Sequence, residues 1–570
     1  MKIYNHHVDL IFELPAYQGK AKGAVNLKKQ LSDAGVPVES ITTKAAKLPK
    51  SKKAVSKAMA MAAAPEKLYI KTGIRDAEMN PWDVAHLSSK AVGAQTAFIE
   101  PDLLQEFVVD TNMNAAYKRK DAKSLSKGTD NGYDPDWQPH KNIVWHLGDA
   151  FSQLKSARDE VAVNGYVVRI GHLDTGYDPT HIIIPNSAKA NKLQRNFVDG
   201  EDATSAHDPR ASGALRMPGH GTGTLGILAG NKIRLATDDG VFNDYLGGAP
   251  FAEVICCRIA PSVVLFKTSA FAEAINYLVG LSQSGTPVHV VSMSMGGAPS
   301  KAWAKAVNAA YEAGITIVTA SGNHFNGLPT THVIYPARFG RVIAACGVTN
   351  DLHPYYSSKL GEMQGCYGPE KHMSKALAAF TPNIPWAVGS GSGISFSGAG
   401  TSSATPQVAA AAAIYYKKYH AELDALPGWQ RVEAIRYALY KWASKTGIPD
   451  GSFKKSFGNG IIKALDSLKE PVKIIDQKTP EDTVPWFPIL STMFKAAPKP
   501  GAQPGNKITM FNTELAQLVY YYPELAKLAG NDEKSFNAIS KKQWQQFKDA
   551  VIQHPGASVT LKKYLMATNF

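Results

Sequence analysis

The first 110 residues of the chain alternate between the polar–apolar period of a strand and that of a helix. VDLIFELP at 8–15 alternates as a strand, AVNLKKQLSDAG has apolar residues at helical spacing, and VPVESITT returns to the strand pattern. A Lys/Ala-rich break at 44–66 is followed by strand KLYIKT, by helix NPWDVAHLSSKAVG with Asn80 as its N-cap, and by strand TAFIEPDLL. The order βαββαβ predicts that residues 1–110 form a small α+β domain with the ferredoxin-like arrangement.

Apolar strand segments and helical patterns alternate through residues 141–469. The strand segments are GYVVRIGHLDTG, AEVICCRIA, PVHVVSMSMGG, ITIVTASGN and RVIAACGVT. This alternation predicts an α/β domain of three layers, a parallel sheet with helices on both faces. In such sheets functional side chains gather at the carboxyl ends of the strands, and Asp174, Ser294 and Asn323 all fall at such ends.

The pattern changes on either side of this α/β domain. Residues 111–140 are polar, charged and rich in turn formers, which indicates an exposed linker. Residues 470–505 form a proline-rich connector, whose aromatic cluster we expect to lie on the preceding domain. TELAQLVYYYPELAKLAG and KSFNAISKKQWQQFKDAVIQH have helical periodicity, so residues 506–570 are predicted to form a small helical C-terminal module.

Composition adds a sizeable core and a basic charge to this picture. The 570 residues are 44% hydrophobic and 19% charged, which fits two to four globular domains at roughly 150 residues each. The net charge is +14, and much of the excess lies in KAAKLPKSKKAVSKAMA and YKRKDAKSLSKG. These runs lack interleaved aromatic residues, so we expect solvated linkers and no nucleic-acid partner, with contact to a nucleic acid or an anionic surface as the alternative.

Neither a membrane span nor a secretory signal is visible in the sequence. No stretch approaches the ~18 uncharged apolar residues of a span, and MKIYNHHVDLIFELP lacks a basic region followed by a long apolar one. The four cysteines are too few for a disulfide framework, and adjacent Cys256 and Cys257 would point to opposite faces of a strand. We therefore expect a cytoplasmic protein with no membrane partner, and export without a leader stays open.

Three segments of the α/β domain can supply an acid, a base and a nucleophile. Asp174 follows an apolar strand in HLDTG, His220 is flanked by glycines in PGHGTGTLGILAG, and Ser402 opens a helix in GTSSATPQVAAAAA. A nucleophilic serine needs a base within hydrogen-bond reach and a carboxylate that orients the base. Each segment alone is a common turn or loop sequence. Their joint occurrence, in one of the chain orders known for that geometry, is far more specific.

Two further features fit a reaction at a carbonyl group. TIVTASGNHF delivers Asn323 from a strand end through Gly322, so its side-chain amide can point into a cleft as a donor to an oxyanion. The backbone N–H of Ser402, at a helix N-terminus, would be the second donor.

Pro406 is expected in the first helical turn, where its missing N–H costs nothing.

These motifs, taken together, resemble those of the subtilisin-like serine peptidases, the subtilase family. The resemblance covers residues 141–469 and includes HLDTG, GHGTGTLGILAG, VSMSMGG, TASGN and GTSSATPQVAAAAA. It implies that Asp174 is the orienting carboxylate, His220 the general base and acid, Ser402 the nucleophile and Asn323 the oxyanion donor.

The resemblance also implies where a substrate binds. A backbone strand would pair with an extended protein or peptide substrate and, with a second segment, line the pocket for the residue before the cleaved bond. The strand is Ser294, Met295 and Gly296, and the second segment is Ala320, Ser321 and Gly322.

The N-terminal domain resembles the inhibitory propeptide of the same family. The resemblance implies that it assists folding, packs on the peptidase and sends its C-terminal tail through the active site, as in a zymogen. The 111–140 linker would then carry the processing site. The alternative is a domain that stays attached as a regulator.

The resemblance leaves the metal content open. DGEDATSAHDPRASGALRMPG, the insert between Asp174 and His220, is acidic and could hold structural calcium as in many relatives, or form a solvated loop. A full set of calcium ligands cannot be matched in it, and the chemistry itself needs no cofactor.

The function predicted from the sequence is that of a serine endopeptidase acting through an acyl-enzyme on Ser402. The alternative is a scaffold with the fold of a protease, acting through its C-terminal helices on a protein partner. A degenerate scaffold would have lost one of the four catalytic residues, and all four are present. Partner binding by residues 506–570 alongside catalysis remains open.

Overall fold

The structure is a computed structural model. It describes residues 8–13, 21–42, 67–74, 79–93, 98–106, 134, 136–137, 142–209, 218–237, 240–263, 265–327, 330–358, 360, 362–448, 453–487, 490, 505–529 and 540–567. The two basic runs of the sequence lie outside these ranges, so the expectation of solvated linkers stays a prediction.

The N-terminal elements follow the predicted βαββαβ order. They are β1 (Asp9–Glu13), α1 (Ala21–Asp33), β2 (Val38–Thr42), β3 (Lys67–Thr72), α2 (Pro81–Val92) and β4 (Phe98–Pro101), with a short β5 (Leu104–Glu106) beyond them. The sheet is antiparallel, in the order β2-β3-β1-β4. Helix α2 is capped as predicted, because Asn80 Oδ1 accepts from Trp82 N at 2.9 Å.

A seven-stranded sheet forms the centre of the second domain. Its strands are β6 (Arg169–Asp174), β7 (Arg195–Asn196), β10 (Glu253–Arg258), β12 (Val290–Met293), β13 (Thr316–Ala320), β15 (Val342–Val348) and β18 (Ala376–Phe380). The order is β18-β15-β13-β12-β6-β10-β7, and all neighbouring pairs are parallel. The strands that end at Asp174 and Met293 are neighbours, which brings their carboxyl ends together.

Helices cover both faces of this sheet. They are α3 (Leu154–Glu160), α4 (Asn186–Lys189), α5 (His220–Ala229), α6 (Thr268–Gln283), α7 (Lys301–Glu312), α8 (Glu370–Met373), α9 (Gly400–Lys418), α10 (His420–Asp424), α11 (Gly428–Trp442) and α12 (Ala464–Ser467). Cys256 packs in the core beneath α5 and α9, whereas Cys257 packs in the core beneath α6 and α7. The strand therefore has two buried faces, and the predicted three-layer α/β class is confirmed.

Smaller sheets lie outside the seven-stranded sheet. Strand β8 (Lys232–Thr237) pairs with β9 (Gly240–Tyr245), β14 (Asn323–Phe325) and β16 (Tyr356–Ser357) both pair with β17 (Met363–Gly365), and β19 (Ile384–Ala387) pairs with β20 (Ile394–Gly398). Strand β11 (Leu265–Lys267) pairs with β5. A 3-10 turn at Trp145–Leu147 and a π-turn at Phe453–Phe457 complete the described elements.

The C-terminal module is helical, as predicted. Its helices are α13 (Asn506–Tyr521), α14 (Pro523–Ala529), α15 (Lys541–Gln553) and α16 (Val559–Met566). The connector's aromatic cluster was expected on the preceding domain, and this expectation is wrong. Phe487 instead belongs to the core that the module's own helices form, and Trp486 packs against that core, because Phe511 and Leu515 of α13 supply an apolar surface.

The N-terminal sheet packs on the α/β domain. Leu10 and Phe12 of β1 face the core under α1 and α2, while Ile11 between them joins the core formed by α6 and α7. Successive side chains of β1 therefore pack in two different cores. None of the described helices is long and apolar enough to cross a membrane.

Candidate active site

Asp174 and His220 are brought into direct contact, as the sequence predicted. Asp174 ends β6 with 1% of its side chain exposed, and its Oδ1 lies 2.8 Å from His220 Nδ1. Thr175 N also donates to Oδ1, at 2.7 Å. Burial favours the neutral acid, but the charge and the hydrogen bond of His220 outweigh it and lower the pKa of Asp174 below its ordinary value.

The glycines around His220 allow this contact. Gly219 precedes α5 with a φ of 80°, and a Cβ on Gly221 would overlap the carbonyl oxygen of Gly176 in the turn after Asp174. Helix α5 can therefore lie directly against that turn. A Cβ on Gly223 would overlap the indole of Trp386, whose ring stands edge-on to His220 with centroids 5.5 Å apart.

A second histidine and a threonine extend the pair, and sequence reasoning missed both. Thr224 Oγ1 lies 3.0 Å from Asp174 Oδ2 and 2.9 Å from His172 Nε2. Because a carboxylate only accepts, Thr224 donates to Asp174 and accepts from the Nε2–H of His172. Burial lowers the pKa of His172 to about 4, despite the opposing charge of Asp174, so the ring is neutral at physiological pH. The sequence signal that could have indicated His172 was a polar residue at an inward position of a buried strand.

Ser402 lies within the first turn of α9, where its N–H has no partner inside the helix. Pro406 was expected in that first turn, and this expectation is wrong because the helix begins at Gly400. Pro406 lies one turn further on, so the donor that would bond the carbonyl oxygen of Ser402 is missing. Ser294 supplies one instead, since its Oγ donates to Ser402 O at 3.0 Å.

The Ser402 hydroxyl faces the segment predicted to bind substrate. Its Oγ donates to Ser294 O at 3.4 Å, and its described hydrogen bonding involves Ser294 rather than His220. Helices α5 and α9 pack against each other, so His220 and Ser402 begin neighbouring helices. A hydrogen bond between a nucleophilic serine and its histidine is often long or misaligned without substrate.

Asn323 lies beside the start of α9. Its Oδ1 accepts from Thr401 N at 3.0 Å and from Thr401 Oγ1 at 3.3 Å, which orients the amide and leaves Nδ2 to donate. Gly400 has a φ of 72°, and a Cβ there would lie 2.9 Å from Asn323 Nδ2. Glycine is therefore required at position 400 both by the positive φ and by the space that the Asn323 amide occupies. Asn323 Nδ2 and Ser402 N come from adjoining segments, as an oxyanion site requires.

The two predicted substrate-binding segments flank one side chain. Ser294, Met295 and Gly296 follow β12, and Ala320, Ser321 and Gly322 follow from the end of β13. A Cβ on Gly296 would lie 2.5 Å from Ile334 Cδ1, and one on Gly322 would lie 3.0 Å from the same atom. Ser321 is fully buried and its Oγ donates to Cys366 O at 3.1 Å, so its side chain is fixed against the segment that follows β17.

The acidic insert is attached to the rest of its domain by several contacts. Glu201 forms two hydrogen bonds with Arg258, of 2.7 and 2.8 Å, and Asp199 lies 2.7 Å from Lys267 Nζ. Asp208 Oδ2 accepts from Gly219 N at 2.8 Å, which ties the insert to the residue before His220. The described ranges hold no cluster of three or more His, Cys, Asp or Glu arranged to bind a metal. Calcium binding by this insert stays a prediction.

The chain is similar to a known family and to several known proteins. A model of the subtilase family matches residues 165–460. The alkaline protease of Shouchella clausii is 26% identical over 377 residues, covering 66% of this chain and 83% of that relative. Subtilisin DY of Bacillus licheniformis is 29% identical over 265 residues, 46% of this chain and 82% of the relative. Alkaline elastase YaB of Bacillus sp. strain YaB is 25% identical over 418 residues, 72% and 94% of the two chains.

Proposed function

Because this chain belongs to the subtilase family and is a serine endopeptidase, we propose that it hydrolyses peptide bonds through an acyl-enzyme on Ser402. His220 is the general base and acid, and Asp174 orients it. The observation that carries the proposal is the 2.8 Å hydrogen bond between Asp174 Oδ1 and His220 Nδ1, which leaves Nε2 of the ring to accept a proton.

The chemistry follows from these positions. Ser402 Oγ forms a bond to the scissile carbonyl carbon while its proton passes to His220 Nε2. Asn323 Nδ2 and Ser402 N donate to the oxyanion that results. The intermediate collapses, the C–N bond breaks, and the leaving amine takes the proton from His220. Water then repeats the attack on the acyl-enzyme with His220 as its base, which releases the acid and restores Ser402.

The substrate is a protein or peptide in an extended conformation. The proposal places it beside Ser294, Met295 and Gly296, where main-chain pairing gives affinity and the neighbouring pocket gives selectivity. The buried support of that pocket by Ile334 and Ser321 favours a preformed cleft rather than one that assembles around the substrate.

The N-terminal domain is proposed to inhibit this site. Glu100 accepts from Ala302 N at 2.8 Å and caps α7, while Asp102 accepts from Ser269 N at 2.8 Å and caps α6. Strand β5 then continues along β11, and Gln105 Oε1 accepts from Ala298 N at 2.8 Å, two residues after Gly296. These contacts hold the end of the N-terminal domain beside the segment predicted to bind substrate. The continuation from 107 lies outside the described residues.

The Ser402→Ala substitution tests the proposal. It removes the nucleophile, so hydrolysis of casein should fall to the background rate, together with any self-processing in the 111–140 linker. Ser403→Ala is the matched control, because Ser403 is buried and donates to Ala399 O at 3.0 Å. This control should retain casein hydrolysis. Undiminished proteolysis by the Ser402→Ala protein would contradict the assignment.

A further inference from the structure

The C-terminal module completes the core of the N-terminal domain. Met510, in α13, is fully buried in the cluster that contains Leu10 and Phe12 of β1 and Trp82 of α2. The two ends of the chain therefore share one apolar core, although several hundred residues of sequence separate them. An apolar contact of this kind stabilises the N-terminal domain only where α13 is in place.

A carboxylate of the N-terminal domain caps a helix of the module. Asp83, in the first turn of α2, accepts from Val559 N and Thr560 N, both at 2.9 Å, and from Thr560 Oγ1 at 2.7 Å. Ser558 caps the same helix from within the module, since its Oγ accepts from Leu561 N at 3.0 Å. The free N–H groups at the start of α16 thus find partners in both domains.

A second set of polar contacts is buried between the two domains. Glu514 has no exposed side-chain surface, and its carboxylate accepts from Ser558 N at 2.7 Å and lies 3.2 Å from His86 Nε2. Trp82 Nε1 donates to Gln517 Oε1 at 2.9 Å. Buried polar groups cost free energy without such partners, so separation of the domains exposes several groups that are paired only in the complex.

The module also binds the catalytic domain, close to the substrate strand. Gln517 Nε2 donates to Pro299 O at 3.0 Å, so one amide joins all three parts of the chain. Gln105 does the same from the N-terminal side. Its Oε1 accepts from Ala298 N at 2.8 Å and from Tyr521 OH at 3.0 Å.

We propose that the C-terminal module is a docking surface for the chain's own N-terminal domain and retains it as a bound inhibitor after the linker is cut. This inference rests on the proposed function, which makes that domain an inhibitor. Once water has been added across one peptide bond of the 111–140 linker, the domain is held only by non-covalent contacts. Two surfaces hold it, the capped helices α6 and α7 and the module, and joint binding to both slows its release.

The experiment measures that release in the full chain with Ser402→Ala, which cannot cut itself. A recognition sequence for an unrelated, site-specific protease is inserted in the linker, the chain is cut, and dissociation of the N-terminal fragment is followed by size-exclusion chromatography over time. Asp83→Ala should release the fragment roughly tenfold faster or more, since hydrogen bonds to a charged acceptor are lost. Asp33→Ala, which removes an exposed carboxylate at the end of α1, should release it at the unsubstituted rate.

A second variant guards against misfolding of the N-terminal domain. Gln517→Ala lies in the module, leaves the N-terminal sequence intact and removes the contacts to Trp82 and Pro299. It should also accelerate release. Equal release rates for the unsubstituted, Asp83→Ala and Gln517→Ala chains would overturn the proposed docking surface.

The same cut in chains that retain Ser402 tests the inhibitory role. Casein hydrolysis should begin sooner after cutting in the Asp83→Ala chain than in the Asp33→Ala chain. Faster fragment release without an earlier onset of hydrolysis would overturn retention of an inhibitor. Absence of hydrolysis from every cut chain would instead contradict the proposed function, while the release rates, measured without Ser402, would still decide whether the module is the docking surface.

Discussion

Three hydrogen bonds converge on the Asp174 carboxylate, and one of them comes from Thr224, a residue of GHGTGTLGILAG for which the sequence predicted no role. Thr175 N and His220 Nδ1 reach Oδ1, while Thr224 Oγ1 reaches Oδ2 with His172 behind it. A buried carboxylate whose acceptors are engaged is held in one orientation, and in the proposed mechanism an oriented Asp174 keeps His220 in the tautomer that accepts from serine. In that mechanism the local geometry sets the direction of proton transfer.

Thr224→Val should weaken both stability and catalysis. Valine has the shape of threonine without the hydroxyl, so Asp174 loses a donor and His172 loses an acceptor in a buried site. The free energy of unfolding should fall by about 1–3 kcal/mol, and kcat should fall with little change in KM. Denaturant titration and casein kinetics measure the two effects. Thr224→Ser, which keeps the hydroxyl, should restore most of both; a Val variant equal to the unsubstituted protein would refute the role.

Asn323→Ala should lower kcat by roughly 100- to 1000-fold with little change in KM, because the amide is proposed to meet the oxyanion and not the ground-state carbonyl. Steady-state kinetics with a peptide substrate measure the split. Asn243→Ala, which truncates an exposed asparagine on β9, is the control and should match the unsubstituted protein. A loss confined to KM would assign Asn323 to substrate binding instead.

Helices α5 and α9 position the site through residues that most helices avoid. Glycines on α5 let it touch the turn after Asp174, and Pro406 within α9 frees the Ser402 carbonyl for Ser294. Sequence reasoning located both helices from their flanking glycines and apolar runs. It misplaced Pro406 because the start of the helix, GTSSAT, looks like loop sequence, and only packing extends the helix back to Gly400.

Gly221→Ala tests the close approach of α5 to the turn after Asp174. The new Cβ would overlap the carbonyl oxygen of Gly176, so α5 must move away from the turn that carries Asp174. We expect a loss of roughly 1–3 kcal/mol in the free energy of unfolding and a matching loss of activity. Gly165→Ala, where a Cβ meets no atom within 4 Å, is the control. Equal melting temperatures for the two variants would contradict the packing argument.

On the scale of the whole molecule, the sequence predicts the parts better than their assembly. Period-2 and helical patterns locate the N-terminal sheet, the central sheet and the C-terminal helices because each pattern is local. The contacts of Asp83 with α16 and of Met510 with β1 join residues far apart in the chain, and no local pattern carries that information. The connector's aromatic cluster was misassigned for the same reason.

Buried histidines should make the stability of the whole molecule sensitive to acid. His146, His172 and His289 are at most 2% exposed, and burial lowers their pKa values from 6.5 to about 3, 4 and 4. The folded state keeps them neutral, whereas the unfolded state gains protons below pH 6.5. The free energy of unfolding should therefore be steady above about pH 7 and fall between pH 6.5 and 4, by up to about 1.4 kcal/mol per pH unit for each histidine.

Thermal unfolding of the Ser402→Ala protein from pH 8 to 4 measures this effect without self-digestion. His146→Phe should reduce the slope of melting temperature against pH below pH 6.5, because it removes one of these titrating rings. Neither ring nitrogen of His146 has a hydrogen-bond partner among the described residues, so the substitution breaks no such bond. A melting temperature that stays constant between pH 7 and 5 would contradict the assignment of neutral buried rings.

Labelling with a fluorophosphonate tests the central claim most directly. The reagent bonds to an activated serine with loss of fluoride, and mass spectrometry of peptides locates the modified residue. In chain freed of its N-terminal domain, we predict modification of Ser402, the same modification in Ser403→Ala, and none in His220→Ala. A protein that cleaves casein while Ser402 stays unmodified, or while the label lies on another serine, would contradict the account.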